Sequence, residues 1–258
     1  MQYYAVMPPH PNIDFALEVF VLGHCAVRSR TFPYEANRVG PVWVMRDAPR
    51  RRPRDYRKEE WIAHDVDPKE VDRIARRYTR GRFFVGAMLA QGEPDEPIRT
   101  AYKALGYRLL TSEGFFVQRL KRIPASPCAA LIARVRTPRL ADRLAKVTRT
   151  RPIPRDLLTD ASPMRQYVAL DGEDIVGRVR SLDAAGGTWC ADMYVSASHR
   201  RCGIGRALLT KMLRDDRTRG SKSSVLTASH TGALLYPHVG YERIGTLYMF
   251  APRRASSG

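Results

Sequence analysis

The chain has 258 residues, of which 44% are hydrophobic and 27% are charged. This length suits two domains, and the balance of residue types excludes disordered, collagen-like and coiled-coil proteins. There are 44 lysine and arginine residues against 26 acidic ones, which gives a formal net charge of +18. Such a charge attracts anions, namely nucleic acid, acidic membranes or phosphate-bearing small molecules. Local motifs have to decide among these classes.

The first half begins with an apolar stretch, residues 15–27, which contains Glu18 and His24. The stretch is too short to span a bilayer, and it lacks the basic leading segment and the cleavage motif of a signal peptide. We therefore expect a soluble, cytoplasmic protein that does not bind membranes. An arginine-rich stretch runs from Arg46 to Lys58. A solvated loop is the favoured interpretation of this stretch, and contact with a phosphate backbone is the alternative.

A helix, a strand and a linker are predicted in the rest of the first half. Apolar residues recur at helical spacing after Pro68; these are Val71, Ile74, Ala75 and Tyr78. Residues 82–89 predict a strand. Residues 124–128 contain two prolines and a serine between apolar stretches, which is typical of a linker. The linker divides the chain into domains of residues 1–123 and 129–258.

The second half alternates strands and helices. Predicted strands span residues 131–135, 166–170, 175–181, 189–195, 225–227 and 243–250. Predicted helices span residues 141–147 and 232–239, and a third begins at residue 204 and ends near residues 219–220. Asp171 and Gly172 form a tight hairpin signal between the second and third of these strands. Antiparallel hairpins followed by strand–helix–strand units predict an α+β (mixed α/β) fold, with mixed, mostly antiparallel sheets flanked by helices.

A short basic loop joins the strand at residues 189–195 to the following helix. It carries Gly203 just before the helix, and Gly205 lies in its first turn. Glycines let the backbone approach a ligand, and the N–H groups at a helix N-terminus attract anions. The loop therefore predicts a phosphate or pyrophosphate site. A Walker loop is excluded because the G-K-[ST] triplet is absent. A Rossmann fingerprint is excluded because the sequence lacks the third glycine and the distal acidic residue.

These residues carry a resemblance to a known family. Residues 200–205, RRCGIG, resemble the R/Q-x-x-G-x-G/A signature of the GNAT superfamily of N-acetyltransferases, and residues 192–195 resemble its fourth strand. Residues 229–241 resemble its closing helix and strand, with serine at 229 where asparagine is common and glycine at 232 where alanine is common. The resemblance covers residues 129–250.

The resemblance implies a cosubstrate, acetyl-CoA or another acyl-CoA, and no metal. The loop backbone would hold the pyrophosphate, the preceding strand would pair with the pantetheine arm, and an N–H near Val195 would stabilise the oxyanion. The implied cofactor-binding residues are Met193, Tyr194, Val195, Arg200, Arg201, Cys202, Gly203, Ile204, Gly205, Arg206 and Ser229.

Two residues are implied in catalysis. Tyr236 matches the family tyrosine and is the candidate general acid that protonates the leaving thiolate; a core tyrosine is the alternative. Asp192 is either the base that accepts the amine proton or a structural partner of an arginine, and the sequence leaves both open. His199 and His230 are favoured as polar surface residues, with substrate contact by His230 left open.

The cysteines are not expected to carry chemistry. They include no C-x-x-C pair, so a zinc site or a disulfide framework is disfavoured. Covalent catalysis by Cys190 or Cys202 is also disfavoured, because the family transfers its acyl group directly.

The first half contains a weaker copy of the same pattern. Residues 101–107, AYKALGY, match residues 235–241, LYPHVGY, in frame. Thr-Arg-Gly ends both predicted helices, at residues 79–81 and 218–220. The segment between the preceding strand and this triplet is ten positions shorter in the first copy, and the missing positions fall around the glycine-containing loop. We interpret the first half as a degenerate GNAT-like domain that has lost the pyrophosphate loop, with chance similarity as the alternative.

The predicted function is that of an acyl-CoA-dependent N-acyltransferase that transfers acetyl to a primary amine of a small molecule or peptide. One alternative is an acceptor amine on nucleic acid, such as an aminoacyl-tRNA. Another is a noncatalytic module that binds CoA or nucleic acid. The protein is expected to be a monomer or homodimer.

Overall fold

The computed structural model describes residues 12–253. It contains five α-helices in that range: α1 Ile13–Arg28, α2 Pro68–Tyr78, α3 Glu96–Ala104, α4 Pro138–Thr148 and α5 Ile204–Thr218. Its strands are β1 Tyr34–Val39, β2 Val42–Asp47, β3 Glu59–His64, β4 Phe83–Ala90, β5 Tyr107–Gln118, β6 Leu131–Arg134, β7 Met164–Asp171, β8 Asp174–Ala184, β9 Gly187–Val195, β10 Ser224–Ala228 and β11 Glu242–Pro252. No helix within residues 12–253 is both long enough and apolar enough to cross a membrane.

The chain forms two compact units. Within the described residues, the first combines residues 12–116 with residues 227–230 and 243–253, and the second comprises residues 117–226 and 231–242. The strands of the first unit follow the order β1-β2-β3-β4-β11-β5, and those of the second follow β10-β9-β8-β7-β6. In each unit one neighbouring pair is parallel, β3 with β4 and β9 with β10, among antiparallel pairs. The predicted mixed α+β fold is therefore confirmed.

Both units repeat one motif, a strand, a helix and a parallel strand. It is β3-α2-β4 in the first unit and β9-α5-β10 in the second. Eight residues, 196–203, connect β9 to α5, whereas three residues, 65–67, connect β3 to α2. Helix α2 has 11 residues and α5 has 15. The length difference is therefore shared between the loop and the helix, whereas the sequence comparison placed all of it around the loop.

The buried face of α2 matches the predicted one except at its last residue. Val71, Ile74 and Ala75 are buried against the sheet, together with Trp61. Tyr78 instead is exposed, because the helix ends there, and Arg46 donates a hydrogen bond to its carbonyl oxygen.

The last strand corrects the predicted domain boundary. Strand β11 falls within the predicted second domain, residues 129–258, but it pairs antiparallel with β4, from Gly245 opposite Ala90 to Phe250 opposite Val85. Phe250 is buried and stacks on Tyr102 with ring centres 4.5 Å apart. Burial of these two rings in one core places β11 in the first unit.

The predicted linker, residues 124–128, is also corrected. The buried hydroxyl of Thr210 donates a hydrogen bond of 3.2 Å to the carbonyl oxygen of Pro124. A Cβ at Gly203 would lie 3.4 Å from the carbonyl oxygen of Pro127. The segment is therefore packed along α5 inside the second unit, and the units divide after residue 116.

The predicted short helix at residues 232–239 consists of two 3₁₀ turns, Gly232–Leu234 and Tyr236–Val239. Pro237 has no N–H to donate to a carbonyl four residues back, so a continuous α-helix cannot form across it. Gly240 closes the second turn with φ of 82°.

The arginine-rich stretch has an internal role. Its arginines Arg50 and Arg57 each place Nε 2.6 Å from a carboxylate oxygen of Asp47, which is fully buried. Burial tends to raise the pKa of Asp47, but hydrogen bonds from both arginines hold it below its usual range. Arg51 and Arg54 remain exposed. The solvated-loop interpretation therefore applies to only part of the stretch, and less charge is available to a phosphate backbone than the sequence indicates.

A buried ion pair lies in the second unit. The guanidinium of Arg165 contacts Asp216 at 2.9 Å and also pairs with Asp183. Ser181 and Thr188 donate hydrogen bonds to the Asp216 carboxylate. Burial raises the pKa of Asp216, and these donors together with Arg165 oppose the rise. Asp216 belongs to α5 and the other four residues to β7, β8 and β9, so the cluster fixes the helix to its sheet.

Candidate active site

Strand β9 contains a bulge at Asp192. Arg178 of β8 faces Tyr194 and Arg180 faces Ala191, so two β9 residues stand opposite one residue of β8. Asp192 has a φ of 55°, in the left-handed region. Bulges bend a strand and redirect its side chains, and they are frequent beside active sites.

The carboxylate of Asp192 is held by the neighbouring strand. Arg178 Nε lies 2.9 Å from Oδ1, and an Arg180 guanidinium nitrogen lies 3.5 Å from Oδ2. The Arg178 guanidinium also covers the ring of Tyr194 at 4.6 Å. These contacts favour the structural role that the sequence left open for Asp192, namely stabilising the bulge. Arg178 and Arg180 are two positions apart in β8, so both side chains lie on the same face of the strand. This spacing is visible in the sequence, although we did not predict the contact with Asp192 from it.

Beyond the bulge, one edge of β9 is open. Its register with β10 contains two pairs, Thr188 with Ser224 and Trp189 with Val225. Both strands continue past these pairs, β9 as far as Val195. On the other side, β8 still pairs with β9 at Tyr194 and Val195. The backbone of residues 190–195 therefore offers hydrogen-bonding groups along the edge that faces away from β8, as an added strand requires.

The loop after β9 leads into α5 without a side-chain cap. Arg201 and Gly203 both have left-handed φ values, of 66° and 78°, and Gly203 is the N-cap residue. No side chain bonds the first N–H groups of α5, and its first turn holds no acidic residue. The positive end of the helix dipole therefore points out of the N-terminus of α5, towards the space in front of Ile204.

The three loop arginines have different surroundings. Arg200 folds back and donates from Nε to the carbonyl oxygen of Val195 at 3.2 Å. Arg201 and Arg206 are exposed, and within residues 12–253 neither forms an ion pair. Two free guanidinium groups therefore flank the uncapped helix end.

Three predicted segments meet at Gly205. A Cβ at this position would lie 3.2 Å from Met193 Cε and 3.2 Å from a methyl carbon of Leu235. The bulged part of β9 and the residue before Tyr236 therefore both lie close to the start of α5. Only a residue without a side chain fits here without moving its neighbours.

Tyr236 is buried, with 7% of its surface exposed. Its ring meets that of Tyr241 edge to face at 5.6 Å. Burial, and then the nearby Cys190, raises the pKa of the Tyr236 hydroxyl. The hydroxyl therefore stays protonated at neutral pH, as a proton donor must.

Comparison with known proteins agrees with this arrangement. Residues 163–243 match the family described as "Acetyltransferase (GNAT) domain". Residues 163–243 are a GNAT acetyltransferase domain. No curated protein matches the chain significantly.

Solved structures resemble the whole chain in fold. A GCN5-related N-acetyltransferase from Kribbella flavida superposes with a TM-score of 0.64 at 14% identity, over 97% of this chain and 98% of that one. A functionally unknown conserved protein from Staphylococcus epidermidis gives 0.58 at 14% identity, over 88% and 97%. A GCN5-related N-acetyltransferase from Sphaerobacter thermophilus gives 0.53 at 18% identity, over 81% and 76%. At these identities the likeness concerns the fold alone.

The cysteines of the GNAT domain occupy different environments. Cys190 is buried, and desolvation raises its pKa to about 12, so it remains an uncharged thiol. Cys202 is exposed and its sulfur lies 3.4 Å from the carbonyl oxygen of Arg200. All four cysteines, which also include Cys25 and Cys128, are free thiols.

Ser229, His230 and His199 all lie outside the strands and α-helices. Ser229 is exposed and follows the end of β10, and it belongs to the first unit together with His230. His199 is engaged locally, with Nδ1 2.8 Å from the Ser196 hydroxyl and Nε2 3.2 Å from an Asp171 oxygen. Within the second unit the structure therefore brings together the loop, β9 and the segment of Tyr236.

Proposed function

We propose that this chain is an N-acetyltransferase that transfers acetyl from acetyl-CoA to a primary amine by direct attack. The observation that carries the proposal is the close approach of Met193 and Leu235 to Gly205, since it brings an open strand edge and the segment of a buried tyrosine to an uncapped helix end. Each of these three features serves a different part of the same cosubstrate.

The residues present fit acetyl-CoA. The N–H groups of Ile204, Gly205 and Arg206 suit a pyrophosphate, and the exposed side chains of Arg201 and Arg206 add full positive charges. The open edge of residues 190–195 suits the amides of a pantetheine arm, which would pair with it as a strand does.

The chemistry then needs only a proton donor and an oxyanion partner. Acetyl-CoA would supply a thioester. The amine attacks its carbonyl carbon to form the new C–N bond, and the C–S bond then breaks. A β9 N–H beyond the bulge stabilises the carbonyl oxygen as it gains charge. Tyr236 donates its proton to the departing sulfur. The proton lost by the amine passes to solvent, and Tyr236 regains one, so the products are an amide and a thiol.

The proposal is tested by following thiol release from acetyl-CoA in the presence of primary amines. The panel includes small amines, peptides with free N-termini or lysines, and aminoacyl-tRNA, so that it covers each acceptor class. We expect release that depends on the amine and exceeds background hydrolysis. Saturable acetyl-CoA binding without release for every class would instead favour a noncatalytic CoA-binding module.

The loop arginines provide a separate prediction about affinity. We expect Arg201→Gln/Arg206→Gln to weaken acetyl-CoA binding by about tenfold, since two charge-assisted contacts with a polyanion are lost. Isothermal titration measures the affinity. The matched control is Arg214→Gln/Arg217→Gln, which removes the same charge from exposed positions farther along α5. Equal weakening in both variants would contradict a local pyrophosphate site.

A further inference from the structure

A basic pocket lies in the first unit, at the end of the sheet where β3, β4 and β5 begin and β11 ends. Its volume is about 770 Å³, within the range of small-molecule sites. The residues that line it are Lys58, Gly81, Arg82, Phe83, Phe84, Arg108, Ala251, Pro252 and Arg253. Four of these are cations and none is acidic.

The cations of the pocket are not neutralised by the protein. Lys58, Arg82, Arg108 and Arg253 are all exposed. Within residues 12–253 none of them forms an ion pair, although many other arginines of the chain do. The nearest acidic residue in sequence, Glu59, is buried and accepts hydrogen bonds from Trp61 and from a backbone N–H instead. Four uncompensated charges in one concavity favour an anion with more than one charge.

Aromatic rings form part of the pocket wall. Phe83 and Phe84 are half-buried, and both line the pocket. Lys58 Nζ lies 4.5 Å from the centre of the Phe84 ring, and Phe83 meets Tyr107 at 6.4 Å. Cations beside exposed aromatic rings are the combination that binds a nucleotide, whose phosphate is charged and whose base is a flat ring.

This pocket is separate from the position that corresponds to the loop of the GNAT domain. In the first unit that position follows β3, at residues 65–67. The pocket lies at the opposite end of β3, with Lys58 just before that strand and Phe83 at the start of β4. The two ends of the six-residue strand β3 are about 20 Å apart. The pocket is therefore not a remnant of a second acetyl-CoA site.

We propose that this pocket binds a nucleotide, with its four cations on the phosphate and the phenylalanine rings against the base. The nucleotide is either one unit of a single-stranded nucleic acid or a free nucleotide, since both present the same groups. The site accounts for a part of the positive charge that neither the acetyl-CoA loop nor the buried ion pairs use.

Fluorescence anisotropy with a labelled ten-residue oligouridylate tests binding of a single-stranded nucleic acid. Titration with adenosine monophosphate tests binding of a free nucleotide. We expect Arg82→Glu/Arg108→Glu to weaken whichever ligand binds by at least about tenfold. If the oligouridylate binds, a plot of log affinity against log salt concentration should become less steep by about 1.4 in this variant. Arg82→Lys/Arg108→Lys should retain most of the binding.

The control is Arg51→Glu/Arg54→Glu, which makes the same change of net charge on exposed residues of the same unit outside the pocket. We expect this variant to bind within about twofold of the parent chain, and thermal unfolding verifies that both variants fold. Equal weakening in the two variants, or binding of neither ligand to the parent chain, would overturn the proposal. Turnover of acetyl-CoA is expected to persist in the pocket variant, which separates this test from that of the acetyltransferase.

Discussion

Replacement of Tyr236 by phenylalanine is expected to lower turnover by about 100-fold, the effect of losing a general acid. The hydroxyl is the only group removed, and the ring keeps its edge-to-face contact with Tyr241. Because the thiolate leaves only after the thioester is attacked, acetyl-CoA affinity should change by less than about twofold. Single-turnover kinetics and isothermal titration measure the two quantities separately.

The control for this substitution is Tyr241→Phe. The Tyr241 hydroxyl is fully buried and lies 2.8 Å from the hydroxyl of Ser224, so it has a structural partner. We expect this variant to keep its turnover and to lose about 1 kcal/mol of unfolding free energy. Unchanged turnover in Tyr236→Phe would remove Tyr236 from the mechanism, while acetyltransferase activity itself would still stand.

Replacement of Arg165 by methionine is expected to destabilise the second unit by about 3–5 kcal/mol. Arg165 is fully buried, and its removal leaves the Asp216 carboxylate in the core without its cation. Ser181 and Thr188 would still donate hydrogen bonds, but hydroxyl groups do not compensate a buried charge. Urea unfolding, followed by circular dichroism, measures the loss.

The double variant Arg165→Met/Asp216→Leu separates a charge effect from a packing effect. A buried ion pair replaced on both sides by apolar residues is often no less stable than the original pair. We expect the double variant to recover most of the stability lost in Arg165→Met. A double variant as unstable as the single one would show that packing around Arg165, and not the unpaired charge, is responsible.

The part of the candidate site that lies within one stretch of sequence was predictable. Hydrophobic periodicity predicted strand β9 and helix α5, and the turn residues predicted the glycine-containing loop between them. Both signals extend over only a few neighbouring positions. Gly203 is indeed in the left-handed conformation at the N-cap of α5. The family pattern singled out Tyr236, but the approach of its neighbour Leu235 to Gly205 is a tertiary arrangement that the structure supplied.

The role of Asp192 depended on a neighbouring strand. The carboxylate lies at a bulge, and the bulge exists because two β9 residues stand opposite one residue of β8. Strand register is a property of a pair of strands, so one strand's sequence does not reveal it. The partners Arg178 and Arg180 became evident only with that register.

The sequence by itself determined the fold class, the order of strands and helices in the second half, and the presence of a basic, glycine-containing loop before α5, since these depend on local patterns. The tertiary structure decided where the last strand pairs, because β11 buries Phe250 against Tyr102, more than 100 positions earlier in the chain. It also divided the net charge of +18 into arginines held by buried carboxylates, such as Arg50, Arg57 and Arg165, and cations left free in the loop and in the basic pocket. Charge counts are fixed by composition, but whether a charge is neutralised depends on which residues the fold brings within a few ångströms of it.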